Sequence, residues 1–397
     1  MSTPAATQPG VVCDLVLLSW NHLEETQPCL ESLLATTRVP CRLLIVDNGS
    51  AEAVRAFLAA VKPRGAITEI VVLQNETNEG FPRGMNRGIE ASLAPYVCLL
   101  NNDLRFTIGW LQELIDVARA HADVGVVNPT SSTFGNYPPR GMSLQQYADG
   151  LRRFHGDYTE VGMCIGFCML ITREVLKRIG GLNEEVERIF FEDEDFCMRA
   201  QRAGYRCVVA KGAYVYHAEH QTVSKMPERE ALFARNQRWC HERWGRWVRV
   251  AWPRFEPVVP GSPELRAWLE RLLKAARRRT HVYVFCPTPR GVDKAALFRS
   301  VRLIPHADIH WHPVPRRLAR WAALGGILKR RKKPYDVVVS PDTAWGRRLQ
   351  GLRWWHRATV VPESDEAALT AEWQRRARIG LAQHEAQPTG PEARLST

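Results

Sequence analysis

No run of about eighteen uncharged apolar residues occurs in this 397-residue chain, which argues against a membrane-spanning helix. The first ten residues have neither a basic start nor an apolar stretch, so no secretory leader is expected. The ten cysteines include no CxxC pair and no zinc-type spacing. Cys164 and Cys168 come closest, but they lie in an apolar run that reads as packing. Buried, reduced thiols and a cytoplasmic protein are therefore expected. There is no internal repeat, no low-complexity block, and no glycine-rich phosphate loop after the first apolar run. The sequence Ser19-Trp20-Asn21-His22 at that point argues against a sugar nucleotidyltransferase, which needs such a loop.

What is present is the composition of a folded protein, 45% hydrophobic and 24% charged, in a chain long enough for two domains. Charge divides it. Residues 258–397 hold 26 Lys and Arg against 12 Asp and Glu, whereas those before them hold 28 against 30. A near-neutral front part is joined to a strongly basic one.

The front part reads as strand and helix in alternation. Strands are expected at residues 11–18, 42–46, 69–73, 96–100, 162–172 and 206–216, with helices between them and a long loop over 129–150. Fully apolar strands alternating with helices predict a parallel sheet covered on both faces. Ligands of such sheets bind at the carboxyl ends of the strands. That rule singles out residues 19–21, 47–50, 75–80 and 101–103. A Trp/Arg-rich segment ends at Pro257, where the domain boundary is expected. The resulting division is residues 1–10 disordered, 11–257 a first domain, 258–385 a second α/β domain and 386–397 a disordered tail. In the second domain an amphipathic helix is expected over 263–279 and strands at 281–286, 309–313, 336–340 and 358–361.

Three polar clusters carry chemistry. A buried apolar strand that ends in Asn101-Asn102-Asp103 is costly unless its polar groups are engaged, by a turn or by a ligand. Oxygen ligands of this kind suit Mg²⁺ or Mn²⁺. Glu192-Asp193-Glu194-Asp195 stands between Phe190-Phe191 and Phe196; a helix N-terminus accounts for some of these acids. Acids packed beside rings also have raised pKa values and make useful proton acceptors near neutral pH. His217, after an apolar strand, is either structural or a nitrogen ligand.

Taken in order, these segments resemble the family 2 glycosyltransferases, of the surface-glycan and rhamnosyltransferase type, over about residues 13–249. The motifs are Leu17-Leu18-Ser19-Trp20-Asn21, Ile45-Val46-Asp47-Asn48-Gly49-Ser50, Asn78-Glu79-Gly80-Phe81 with Gly84-Met85-Asn86-Arg87-Gly88, and Leu100-Asn101-Asn102-Asp103. Gly166-Phe167-Cys168-Met169-Leu170, Gly180-Gly181-Leu182-Asn183-Glu184, the acid helix from Glu192 and His217 follow. The resemblance implies a GT-A fold, with a Rossmann-like nucleotide-binding sheet, followed by a smaller basic α/β domain. It implies an inverting enzyme that moves a sugar from a nucleotide-diphosphate sugar to a hydroxyl of a glycan or lipid-linked acceptor. Asp47 would contact the base, with Ser19 and Asn21 lining its pocket, and Asn48, Gly80, Asn86, Asn101 and Asn102 would complete the donor site. Asp103, helped by His217, would hold Mg²⁺ or Mn²⁺. Asp193 would be the general base, Asp195 would orient the helix or acceptor, and Glu192 is grouped with them. Asn101 departs from the family, which often has an acid there. A catalytically silent glycan- or nucleotide-binding scaffold is the alternative.

The basic part matches no motif. The run Lys329-Arg330-Arg331-Lys332-Lys333 reads as peripheral contact with an anionic inner membrane face or acceptor, or as a solvated helix end. Nucleic acid is the least favoured partner. The preceding helix is expected to pack Leu318, Trp321, Ala322, Gly325 and Leu328 on its own sheet.

Overall fold

The computed structural model describes residues 10–218, 228–289, 291–329 and 333–377. Apart from Gly10, the termini expected to be disordered lie outside these residues, as do 330–332 of the basic run. The chain forms two compact units, residues 1–159 with 163–239, and residues 160–162 with 240–397.

The first unit runs β1 (Cys13–Ser19), α1 (Leu23–Thr36), β2 (Cys41–Asp47), α2 (Glu52–Ala60), β3 (Ile67–Gln74), α3 (Phe81–Ala91), β4 (Tyr96–Leu100), β5 (Leu104–Phe106), α4 (Trp110–Ala120) and β6 (Val124–Ser131). It continues through α5 (Leu144–Leu151), β7 (Tyr158–Val161), β8 (Cys168–Thr172), α6 (Arg173–Ile179), α7 (Glu192–Arg202) and β9 (Arg206–His217) to α8 (Arg229–Trp244), in which the chain passes to the second unit. Strand order is β3-β2-β1-β4-β8-β6-β9-β5. The α/β reading holds, with one amendment. β3, β2, β1 and β4 are parallel, but β8 runs antiparallel to both β4 and β6, so the sheet is mixed.

Leu15, Leu17, Leu43, Ile45 and Leu99 are wholly buried, as continuous apolar strands covered on both faces require. α3 lies close on β1 because its facing position is glycine. A Cβ on Gly88 would fall 2.2 Å from Val16 Cγ1. Residues 162–172 are not strand throughout; the ladder begins at Cys168. Asn128 explains this. Its Oδ1 accepts from Ile165 N at 2.7 Å and its Nδ2 donates to Ile165 O and Cys168 O, which ties the preceding stretch away from strand pairing. The expected loop over 129–150 also contains α5, opened by a reciprocal cap between Ser143 and Gln146.

The second unit holds β10 (Val248–Pro253), α9 (Pro263–Ala276), β11 (Thr280–Cys286), α10 (Lys294–Ser300), β12 (Ile309–Pro313), α11 (Ala319–Leu328), β13 (Val337–Ser340), α12 (Thr343–Gly351), α13 (Arg353–His356), β14 (Thr359–Pro362) and α14 (Glu366–Ala377). Its sheet is parallel, in the order β12-β11-β10-β13-β14. The units therefore divide at 239/240 rather than at 257. The central strand β10 lies in the Trp/Arg-rich segment, where Arg249 between Val248 and Val250 interrupts the apolar signal. α11 also faces differently from expectation. Ala319, Ala323 and Ile327 are buried, while Trp321 is 70% exposed. The small face wins because it permits close approach: Gly326 abuts Phe285.

All ten cysteines are buried and none forms a disulfide, and burial pushes the Cys29 and Cys286 thiols up to about 12. Among the described residues no helix is long and apolar enough to cross a membrane.

Candidate active site

Strand order reverses between β1 and β4, and at such a switch point the carboxyl ends of the two strands leave a crevice. A cavity of about 560 Å³ lies there, within the first unit. Of the residues singled out in the sequence, Asn48, Gly80, Asn101, Asn102, Asp103, Glu192, Asp193 and His217 line it.

Asp103 and His217 are brought together by β5, which pairs antiparallel with the end of β9 so that Leu104 faces His217. His217 Nε2 then stands 3.1 Å from Asp103 Oδ1. The ring is fixed by stacking on Phe167, 5.1 Å between centroids, and by Nδ1 at 2.9 Å from Thr133 Oγ1. Asp103 Oδ1 is buried and makes no hydrogen bond of good geometry among the described residues, the imidazole nitrogen at 3.1 Å being its polar neighbour. A buried carboxylate oxygen that lacks a well-aligned donor is costly, and a divalent cation would satisfy it. The pair fits such an ion. Asn101 adds an amide whose Nδ2 lies 3.4 Å from the same imidazole nitrogen.

The acids of α7 have separate environments. Phe190 and Phe191 enter the helix with φ of 78° and 74°, the left-handed region that bulky residues rarely adopt. This turn carries Asp193 to the cavity wall. Its Oδ2 accepts from Gly166 N at 3.1 Å and its Oδ1 from Glu194 N at 2.7 Å. Burial outweighs those two donors and pushes its carboxyl up to about 6. Glu192 is driven well above the usual carboxylate range by burial and then by the Asp193 charge. Asp195 is wholly buried behind the cavity wall and holds Arg199 Nε at 2.7 Å. Arg199 in turn donates to Ile179 O and Gly181 O, so Asp195 anchors the helix and does not line the cavity.

Four expected donor-site residues also lie off the cavity lining. Asn86 ties α3 to the segment between α6 and α7, donating to Leu182 O and Glu184 Oε1 and accepting from Leu182 N. Asn21 joins two loops, its Oδ1 accepting from Ala51 N and its N–H donating to Ser50 Oγ. Asp47 accepts from Ser50 N, with its other oxygen 3.6 Å from Arg55 Nε. Ser19 is buried with its hydroxyl 3.4 Å from Thr26 Oγ1. Asn48 does reach the cavity, yet its amide is engaged on both sides, by Asn78, Gly80, Asn75 and Glu79. Met163, Arg188 and Phe233 also line the cavity and were not singled out in the sequence. The rings of Phe190 and Phe191 pack on Phe233. The aromatic flank of the acid run was a visible signal for the first two; Phe233, inside a helix rich in Arg and Trp, gave none.

Comparison with known proteins places the chain among glycosyltransferases. Residues 14–180 match Glycosyl transferase family 2, and residues 150–292 match Glycosyl transferase family group 2. An uncharacterized protein of Sinorhizobium fredii is 26% identical over 58% of this chain and 27% of its own length. The N-acetylglucosaminyl-diphospho-decaprenol L-rhamnosyltransferase of Mycobacterium tuberculosis is 23% identical over 54% of this chain and 79% of its own. The glucosyl-dolichyl phosphate glucuronosyltransferase of Haloferax volcanii is 24% identical over 52% and 67%. The chain thus spans about a quarter of the rhizobial relative and more of the other two.

Proposed function

We propose that this chain, a member of the family 2 glycosyltransferases, moves a sugar from a nucleotide-diphosphate sugar to a hydroxyl of a glycan or lipid-linked acceptor. The observation that carries this reading is the convergence on one cavity of the Asp103–His217 pair and of Asp193, whose carboxyl titrates near 6. A divalent cation, Mg²⁺ or Mn²⁺, held by Asp103 and His217 would neutralise charge developing on the departing diphosphate. Asp193, ionised above its pKa, accepts the proton of the acceptor hydroxyl. The oxygen bonds to the anomeric carbon as the bond from that carbon to the diphosphate breaks on the opposite face. One such displacement inverts the anomeric configuration. Phe190, Phe191 and Phe233 give the apolar side of the cavity, against which a sugar or prenyl-linked acceptor excludes water from the reacting atoms.

A lipid-linked acceptor has further support in the second unit. Trp321 and Trp354 are 70% and 71% exposed, with Arg316, Arg317, Arg320 and Arg353 close to them in sequence. Exposed indoles among cations suit one occupant, the headgroup region of an anionic bilayer.

The test is turnover of a panel of nucleotide-diphosphate sugars with polyprenyl-diphosphate-linked sugar acceptors, with and without Mn²⁺. Asp193→Asn is expected to lose about 10³-fold in kcat with donor binding retained. Asp103→Ala is expected to lose metal-dependent donor binding. Full turnover by either variant overturns the site; donor binding without turnover by any acceptor favours the scaffold.

A further inference from the structure

A second group of potential metal ligands lies in the second unit, on β11 and the edge strand β12. The two strands are parallel, with Tyr283 opposite His310 and Val282 opposite Ile309. Alternation puts Val282, Val284 and Ile309 into the apolar core, and His281, Tyr283 and His310 on the other face. Asp308, just before β12, joins that face with Oδ1 3.0 Å from His281 Nδ1. One ligand atom from each of His281, Asp308 and His310 lies within 4.8 Å of the others.

Two features go beyond proximity. First, His310 Nε2 is buried and has no hydrogen-bond partner among the described residues. Such a nitrogen costs free energy unless something satisfies it. Second, the rings are already oriented by stacking: His281 on Trp247 at 4.9 Å and His310 on Tyr283 at 4.6 Å. Ligands on two neighbouring strands with their rings held in place lose little further freedom on binding an ion.

We propose that His281, Asp308 and His310 form a binding site for a zinc-class transition-metal ion, separate from the Asp103–His217 pair. Two imidazoles and one carboxylate are a ligand set for zinc, cobalt, nickel or copper, whereas magnesium and calcium prefer all-oxygen sites. Such ions bind these atoms at about 2 Å, so small rotations of side chains draw the set together. Three protein ligands leave a fourth position for water or another donor. The ion would tie β12, which is hydrogen-bonded on one side only, to β11.

The full-length, tag-free protein is stripped with a chelator and titrated with Zn²⁺ by calorimetry, and with Co²⁺ by visible absorption. Expected are one Zn²⁺ per chain at micromolar affinity or tighter, d–d bands of tetrahedral cobalt, and a higher Tm in the metal-loaded form. His310→Gln and Asp308→Asn should each weaken Zn²⁺ binding at least 10-fold and abolish the Tm increase. Asp103→Ala should leave both intact. Each variant is judged only if its metal-free Tm and circular dichroism match those of the stripped wild type. Zinc binding weaker than millimolar in the wild type overturns the proposal. So does binding unchanged in whichever variant folds, or binding lost only in Asp103→Ala.

Discussion

At the scale of single residues, the site depends on carboxylates in unlike surroundings. Asp193 keeps two backbone donors and still titrates near 6, because its burial costs the charge more than two N–H groups return. Below that pH the carboxyl is protonated and cannot accept a proton. kcat/KM should therefore rise about tenfold per pH unit below 6 and level off above it, in a profile at saturating Mn²⁺. Glu192 is also driven well above the ordinary carboxylate range, by burial first and then by the Asp193 charge, which favours its protonated form. Glu192→Gln, which mimics the neutral acid, is expected to keep most of the wild-type kcat. A loss as large as that of Asp193→Asn would show that Glu192 works as an anion. From sequence the two acids are indistinguishable neighbours. What separates them is which one meets the Gly166 and Glu194 amides, and that depends on two phenylalanines in left-handed conformation.

At the scale of elements, loops rather than strands set the cavity shape. Gly80 caps α3 at φ 84° and ψ 175°, and a Cβ there would lie 2.8 Å from Arg188 Cα. Phe81 N donates to Arg188 O at 2.6 Å, which holds the segment before α7 against the start of α3. Gly80→Ala meets both a backbone conformation closed to L-residues and a main-chain clash. It should cost about 2 kcal/mol or more in urea unfolding and raise the KM for donor. β1 to β4, β8, β9 and β11 to β14 were legible from their apolar runs, and so was the polar cluster ending β4; β5, β6 and β7 were not. The division of labour among the asparagines was not. Asn48 and Asn86 sit in the same motifs as the lining residues, yet their amides bind loops together. Motif order marks positions the fold depends on and positions a ligand touches in the same way. β10 escaped notice because Arg249 is accommodated within a strand, its guanidinium 4.5 Å from the Tyr283 ring centroid.

For the whole molecule, the charge asymmetry read from the sequence coincides with a structural division, since the basic residues belong to a unit with its own parallel sheet. Trp321 was expected to pack inward; the alanine face of α11 took that place and left it outside. The protein should sediment with vesicles containing about a third anionic lipid and not with neutral ones. Trp321→Ser with Trp354→Ser should reduce that binding several-fold without changing turnover of a water-soluble acceptor analogue. Salt should weaken what remains, as screening of surface cations requires. Equal binding to neutral vesicles, or no effect of the double variant, would remove the bilayer from the acceptor-side reading.

The ten thiols, each buried and none in a disulfide, are distributed over strands and helices of both units. Burial holds Cys13, Cys98, Cys164 and Cys197 well above their ordinary pKa, so the reactive thiolate is scarce while the fold is closed. Neither unit can therefore be modified at sulfur without first opening. Oxidation or alkylation of this protein is then a clock of its unfolding: the order in which the cysteines react records which element lets go first.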